Sequence, residues 1–271
     1  MAAVNVAITW AFDLILRPFG AYPWAGLVLV SLVTGAVLLI VFRHTSNQRA
    51  IKATKDRILA HLLEVVLYRD QMRVVVRAQA RLAVDNLRYL GYALVPLACM
   101  VVPVGLLLMQ LDLRHGHRPL RTGEAAIVAV KLKPGSDLDR IALSTQEGVK
   151  IETESLRIPA LSEVDWRVRA ISPGAHEIRV SAAGEEMTKQ LVVGKRAPRV
   201  SVARVGGGLV SQFLHPGEPP LPPVGPVESV TVSYPSAELR LLGRSVHWLW
   251  PWLVISMVFG YALKGPLRVQ V

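Results

Sequence analysis

Four arginines in one stretch of the chain have the type and the spacing to bind anions. Arg73, Arg77 and Arg81 repeat every four residues, and Arg88 falls near the same helical face. A guanidinium group binds phosphate through paired hydrogen bonds. A stripe of this kind beside a membrane predicts contact with the anionic headgroups of lipids. A ribosome or a nascent chain is the alternative partner, because phosphate backbones attract the same charges.

The other reactive side chains do not form a catalytic or metal-binding pattern. His115 and His117 are separated by one residue, which falls short of the ligand count of a zinc site. Glu152 and Glu154 alternate along an expected strand, so they are predicted to face solvent. The chain contains no nucleophile elbow and no phosphate loop. The sequence therefore predicts no enzyme activity, no catalytic residue, no metal and no cofactor.

The arginines lie between two long apolar runs. Residues 24–42 and 89–111 contain no Asp, Glu, Lys or Arg. Each run is long enough to cross a hydrocarbon core of about 30 Å as a helix that rises about 1.5 Å per residue. We therefore expect two transmembrane helices at these positions, joined by a charged segment, 43–88.

Charge asymmetry predicts the orientation of these helices. Residues 43–88 carry 10 basic and 4 acidic side chains, whereas residues 112–245 carry 18 and 15. Lys and Arg concentrate in short cytoplasmic loops of membrane proteins. We therefore place 43–88 in the cytoplasm and the N-terminus outside, in the plasma (inner) membrane. Residues 1–20 are expected to form a short helix in the outer interface, with Asp13 and Arg17 as an i,i+4 pair.

The segment 43–88 is predicted to be a helical hairpin. Residues 47–88 contain neither Gly nor Pro, and the weakest helix-forming point is 68–71. We expect one helix over 47–67 and a second over 71–88 that continues into the second span. Two apolar stripes are expected to face each other across the hairpin. They comprise Ile51, Ile58, Leu62 and Val66 on the first helix and Val75, Leu82 and Tyr89 on the second.

The period of the sequence changes from helix to strand after the second run. Short alternating segments separated by Pro-Gly, Glu-Gly and Ala-Gly turns begin near residue 126. Segments at this spacing predict an extracytoplasmic, Ig-like antiparallel β-sandwich over 120–240. The Pro-rich stretch 216–226 is expected to be a stiff spacer.

A third membrane span is predicted over 246–263. Trp248, Trp250 and Trp252 at its start and Lys264 after its end are the expected interface anchors. This leaves 264–271 as a short cytoplasmic tail.

The layout resembles the YidC-type membrane protein insertase superfamily, and most closely its small archaeal members and the third subunit of the endoplasmic reticulum membrane complex. The residues that carry the resemblance are 42–52 after the first span, the hairpin 52–88, and 94–97 with 101–104 in the second span. The resemblance implies a partly hydrophilic groove within the spans. Its candidate lining residues are weakly polar: Ser31, Thr34, Cys99, Gln110 and Ser256. The family's intramembrane arginine has no counterpart here, and the β-domain would be an insertion.

Two functions follow from these observations. The first is an insertase-like protein that helps other membrane proteins to insert, fold or assemble, with nascent membrane proteins or the ribosome as partners. The second is a non-catalytic, membrane-anchored scaffold or complex subunit whose outer β-domain binds a partner in the cell envelope. For either function, we expect the small residues of the first span to pack against another helix rather than to form a polar surface.

Overall fold

The computed structural model describes residues 2–19, 22–195, 199–223, 225–241, 243–267 and 269. Two compact units make up the chain, Met1–Gly26 with Leu106–Trp248 and Leu27–Gly105 with Leu249–Val271. The second unit is helical, and the first is mainly β-structure. The chain thus has a mixed helical and β architecture, as the sequence predicted.

Helices account for most of the residues before position 116 and for one stretch near the end. They are α1 (Ala2–Leu16), α2 (Pro23–Thr45), α3 (Gln48–Leu67), α4 (Met72–His115), α5 (Leu209–Leu214) and α6 (Leu249–Leu263), with short 3-10 turns at Arg17–Phe19, Leu138–Arg140 and Pro159–Leu161. The chain reverses between α3 and α4 at 68–71, the position at which the sequence predicted the turn.

Two of these helices, α2 and α4, are long and apolar enough to cross a membrane. They contain the predicted spans 24–42 and 89–111. The third predicted span differs from the structure, because α6 starts at Leu249 and has 15 residues. Residues Arg244–Val246 instead form a strand. A helix of this length is about 22 Å long, shorter than the hydrocarbon core.

Close backbone packing joins α2 to α6. Ser31 and Gly35 on α2, and Ser256 and Gly260 on α6, are each four residues apart, the spacing of small residues at membrane helix contacts. A Cβ atom added to Gly35 would lie 2.5 Å from the carbonyl oxygen of Ser256 and 3.1 Å from the nitrogen of Gly260. The two backbones can approach this closely only because residue 35 has no side chain.

The β-domain and the segment that follows it contain eleven strands in the part of the chain that the structure describes. They are β1 (Ala125–Leu132), β2 (Ile141–Thr145), β3 (Val149–Ile151), β4 (Leu156–Ile158), β5 (Glu163–Ala170), β6 (Gly174–Ala182), β7 (Glu185–Val193), β8 (Ala203–Val205), β9 (Val227–Val232), β10 (Leu239–Leu241) and β11 (Arg244–Val246). The alternating pattern predicts a strand over 149–158 and one or two strands over 197–214. The structure divides the first into β3 and β4, and the later part of 197–214 forms α5 rather than a strand.

Two antiparallel sheets enclose the core of this domain. One has the order β3-β5-β1-β9-β8, with β4 also paired to β5, and the other has the order β2-β6-β7. In the first sheet Val128 lies opposite both Trp166 and Val232. Alternate residues of the strands point inward, and Val128, Ile178 and Leu191 are fully buried in one core shared by the two sheets. The arrangement is sandwich-like, and its likeness to Ig domains stays a prediction.

Residues of the Pro-rich stretch, among them Glu218 and Leu221, pack on the β-domain, and its role as a spacer stays a prediction. Leu221 is buried, and its amide donates a hydrogen bond to the carbonyl of Val205. Glu218 forms an ion pair with Lys189, whose side chain is fully buried. The Lys189 ammonium also donates to the carbonyl of Ser201 at 2.7 Å. Burial lowers the pKa of Lys189, and the Glu218 carboxylate opposes this effect.

The helix α1 contacts the C-terminal end of α4. The ion pair predicted between Asp13 and Arg17 does not form. Asp13 binds Arg114 and Arg199, not Arg17. The side chain of Gln110 donates to the hydroxyl of Thr9 at 2.9 Å and accepts from Arg114 at 2.8 Å. A sequence pattern four residues apart could not reveal these partners, because they lie about 100 residues away along the chain.

We expect the substitution Gly35→Ala to separate α2 from α6 and to lower the midpoint of thermal denaturation of the purified protein in detergent. The added methyl group would meet backbone atoms that cannot rotate away. Gly91→Ala is the matched control, since a Cβ atom at this helical position meets nothing within 4 Å. Alanine favours a helix over glycine by about 1 kcal/mol, so this control should not lower the midpoint. Equal effects of the two substitutions would contradict the close packing.

Removal of the Glu218 charge should destabilise the β-domain. We expect Glu218→Gln to cost about 3–5 kcal/mol, because it leaves the buried Lys189 without a counter-charge. Hydrogen exchange of the amides in β7 measures this loss in the full-length protein. The double change Lys189→Met/Glu218→Gln should regain much of the stability. Asp139→Asn, which removes an exposed ion pair with Arg157, should change it by about 0–1 kcal/mol.

Candidate functional site on the helical hairpin

The helices α3 and α4 pack along a seam with heptad spacing. The residues of the seam are buried or half-buried and alternate at intervals of three and four. They are Ile51, Thr54, Ile58, His61 and Val65 on α3, and Val75, Ala78, Leu82, Asp85 and Tyr89 on α4. The predicted stripe was therefore wrong at Leu62 and Val66, which are 45% and 71% exposed. His61 and Val65 occupy the seam positions instead.

A buried carboxylate lies at the centre of this seam. Asp85 is only 3% exposed. Its oxygens lie 3.2 Å from Nη1 of Arg88, 3.5 Å from Nε2 of His61 and 3.8 Å from Nε of Arg57. The other ring nitrogen of His61 lies 3.2 Å from Glu64. Asp85 thus links α4 to α3 through Arg57 and His61, while Arg88 pairs with it from its own helix.

The arginine stripe of the sequence is exposed along α4. Arg73, Arg77, Arg81 and Arg88 all have exposed side chains. The structure adds Arg57, which reaches the same surface from α3. Sequence reasoning missed Arg57 because its relation to the stripe depends on the register of the hairpin. In the sequence, the acidic residue Asp85 at a seam position was the feature that could have indicated this role of Arg57.

Large apolar side chains are also exposed on the hairpin near its turn. Leu59, Leu63 and Val66 recur on α3 at helical spacing, and Leu67 and Met72 flank the turn itself. Farther along α4, the predicted span exposes most of its apolar surface. Leu94, Leu97 and Val101 belong to this surface. The second unit therefore presents both basic and apolar surface.

The candidate groove residues do not converge on one polar surface. The hydroxyl groups of Ser31, Thr34 and Ser256 are buried and donate to the carbonyls of Leu27, Val30 and Leu253 in their own helices. Gln110 is buried and hydrogen-bonded to Thr9 and Arg114. Cys99 is exposed. Buried hydroxyls that bond within their own helix favour the packing interpretation over a polar groove.

The expected interface anchors occupy different environments. Trp250 is 62% exposed, whereas Trp248 and Trp252 are buried. A buried indole cannot reach lipid headgroups, so of the three only Trp250 has the exposed side chain that an interface anchor needs, and its role as an anchor stays a prediction. The ammonium of Lys264 lies 5.2 Å from the ring centre of Tyr261, a cation–π contact. The tail residues 268, 270 and 271 lie outside the described part of the chain.

Metal-ligand geometry is absent from the part of the chain that the structure describes. Within the described ranges, no group of three or more His, Cys, Asp or Glu side chains is placed to hold a metal ion. The imidazoles of His61, His115 and His117 belong to separate surroundings. We therefore base the functional proposals on surfaces and charge.

We expect Asp85→Asn to loosen the hairpin by about 1–3 kcal/mol, because Arg57 and Arg88 would lose their shared counter-charge while the side-chain shape is kept. Faster hydrogen exchange of the amides in 51–65 would report this change in the full-length protein. Asp56→Asn is the matched control, as Asp56 is exposed on the same pair of helices. If the amides of 51–65 exchange at the same rate in both variants, Asp85 does not hold the helices together.

Comparison with known proteins gives no match. No protein-family model matches the chain. Searches of curated proteins and of solved structures find no significant match either. The functional assignment therefore depends on the residues and geometry described above.

Proposed function

We propose that this chain is an insertase-like integral membrane protein that assists the insertion, folding or assembly of other membrane proteins. In this proposal α2 and α4 cross the plasma membrane with the hairpin in the cytoplasm and the β-domain outside. The shorter α6 is the third membrane segment. The topology has the order and the charge asymmetry of the insertase superfamily that the sequence resembles.

The observation that carries the proposal is the surface of the hairpin. Exposed arginines lie on the same pair of helices as the exposed apolar side chains Leu63 and Val66. Such a surface suits an incoming membrane segment, which combines apolar residues with flanking polar ones. The helix α4 then continues from this surface into its exposed apolar stretch, which includes Leu94 and Leu97. A client segment would pass from the basic hairpin to the exposed face of α4.

The buried hydroxyl groups alter the expected mechanism. Ser31, Thr34 and Ser256 already donate to carbonyls of their own helices, so they offer little to a polar client segment. We therefore propose that client contact depends on the hairpin and the apolar face of α4. The role of the membrane helices is to hold that surface at the bilayer.

The second candidate function is a membrane-anchored scaffold or complex subunit. The observation that favours it is the β-domain, whose two sheets enclose a core of their own. Its Pro-rich stretch is packed, so it presents a fixed surface to a partner in the cell envelope. The close packing of Gly35 against α6 suits an anchor as well as an insertase.

Photo-crosslinking in cells separates the two functions. We place probes at Leu63 on the hairpin, at Leu97 on the span and at Leu156 on the β-domain, all of which are exposed. Ala78, which is fully buried, is the negative control. We expect Leu63 and Leu97 to crosslink many different nascent membrane proteins. A single stable adduct from Leu156, with no adducts from Leu63 and Leu97, would identify the chain as a scaffold.

Insertion into liposomes tests the proposed activity directly. We expect purified protein to increase the insertion of a short-tailed client over protein-free liposomes, and Leu63→Glu/Val66→Glu to reduce this increase several-fold. The added charges would oppose apolar contact with the client. Val210→Glu, at an exposed position of the β-domain, is the control. Insertion no higher than in protein-free liposomes would overturn the insertase proposal.

A further inference from the structure

We propose that the groove between α3 and α4 is a binding site for a phosphate group, formed by Arg57, Arg77, Arg81 and Arg88 around the buried Asp85. The site differs from the row of arginines predicted on α4, because it includes Arg57 of α3 and does not include Arg73. Neither an insertion activity nor a client is needed for this inference.

The shape of the hairpin surface provides room for such a ligand. The groove has a concave volume of about 490 Å³, with the four arginines, His61 and Asp85 along its walls. The groove is open to solvent, so an anion can enter without a change in the fold. Its walls come from both helices, and the register fixed by Asp85 determines which side chains meet there.

The charges of the groove favour an anion of more than one negative charge. Four guanidinium groups and one carboxylate line the groove. A second carboxylate, that of Glu64, lies 3.2 Å from the Nδ1 of His61. The two carboxylates balance two of the four positive charges, so two positive charges remain. A phosphate dianion matches this excess better than a single carboxylate does, and guanidinium groups bind phosphate oxygens in pairs.

Asp85 also orders part of the site before a ligand arrives. It contacts Nη1 of Arg88 at 3.2 Å and Nε of Arg57 at 3.8 Å, while these two side chains remain 56% and 50% exposed. A guanidinium has five N–H donors. Each arginine therefore keeps further donors for a ligand while one nitrogen is held near the carboxylate. An ordered donor set loses less conformational entropy when it binds.

The position of the groove along α4 distinguishes two sources of phosphate. Arg88 directly precedes the apolar run, whereas Arg77 lies 11 residues earlier, about 16 Å farther along the helix. A lipid headgroup would reach the end of the groove at Arg88. A free phosphate compound has access to the entire groove, including Arg77 and Arg81.

The test measures binding to the full-length protein in an uncharged detergent. The probes are inorganic phosphate, short-chain phosphatidic acid and short-chain phosphatidylcholine, titrated by calorimetry. We replace Arg77 and Arg81, because Arg57 and Arg88 also contact Asp85 and their loss would disturb the hairpin. We expect Arg77→Gln/Arg81→Gln to weaken binding of inorganic phosphate about tenfold or more. Arg69→Gln/Arg73→Gln removes the same charge from outside the groove and should change it less than about twofold.

The outcomes distinguish a specific phosphate-binding site from non-specific attraction of anions to the basic surface. Saturable binding of inorganic phosphate that depends on Arg77 and Arg81 supports the site. Tighter binding of phosphatidic acid than of inorganic phosphate, with no binding of phosphatidylcholine, supports the site with a lipid headgroup as its ligand. Equal weakening by the two double variants would overturn it, as would the absence of saturable binding of both phosphate probes.

Discussion

The burial of one carboxylate constrains the entire hairpin. Moving a charge out of water is so unfavourable that Asp85 must have compensating partners wherever the helices enclose it. Arg57 and Arg88 supply positive charge, and His61 lies within 3.5 Å. Arg88 is on the same helix as Asp85, but Arg57 and His61 reach it only in one alignment of α3 with α4. The exposed arginines on the surface, and the groove they line, are consequences of that alignment.

The same logic separates the seam from an ordinary apolar coiled coil. Thr54, His61 and Asp85 occupy positions that leucine or isoleucine would otherwise fill. Polar residues in a seam cost stability but select one register among several. The hairpin also has large apolar residues available, such as Leu59 and Leu63, and it leaves them exposed. Apolar surface outside the seam is then available to another molecule or to the membrane interface.

Much of the architecture could be predicted from local patterns. The two long charge-free runs, the turn at 68–71 and the alternation from residue 126 onward depend on neighbours within a few residues, and periodicity detects them. Features that depend on distant partners could not be predicted. The ion pairs of Asp13, the role of Arg57 and the attachment of Glu218 to Lys189 all arise from the fold. Two of the four seam residues predicted on α3, Leu62 and Val66, were also wrong, because a search for apolar stripes does not consider His61.

For the candidate site, the spacing of the residues was a better guide than residue type alone. The arginines of α4 are exposed as their pattern indicates. The weakly polar residues of the spans were chosen by type alone, and a hydroxyl within a helix can bond to its own backbone. Ser31 and Thr34 do so. Gln110 bonds to Thr9 on α1, a partner that a search within the span cannot find.

The attachment of α1 to the end of α4 has a consequence for biosynthesis. Thr9 and Gln110 are 101 residues apart, and Asp13 is equally far from Arg114. During translation, at about 5–20 residues per second, α1 must wait roughly 5–20 s before its partners are made. It spends that interval without its final contacts, while both α2 and the hairpin are being synthesised. Because α2, α3 and α4 are made in between, α1 cannot form these contacts until the end of α4 has been synthesised.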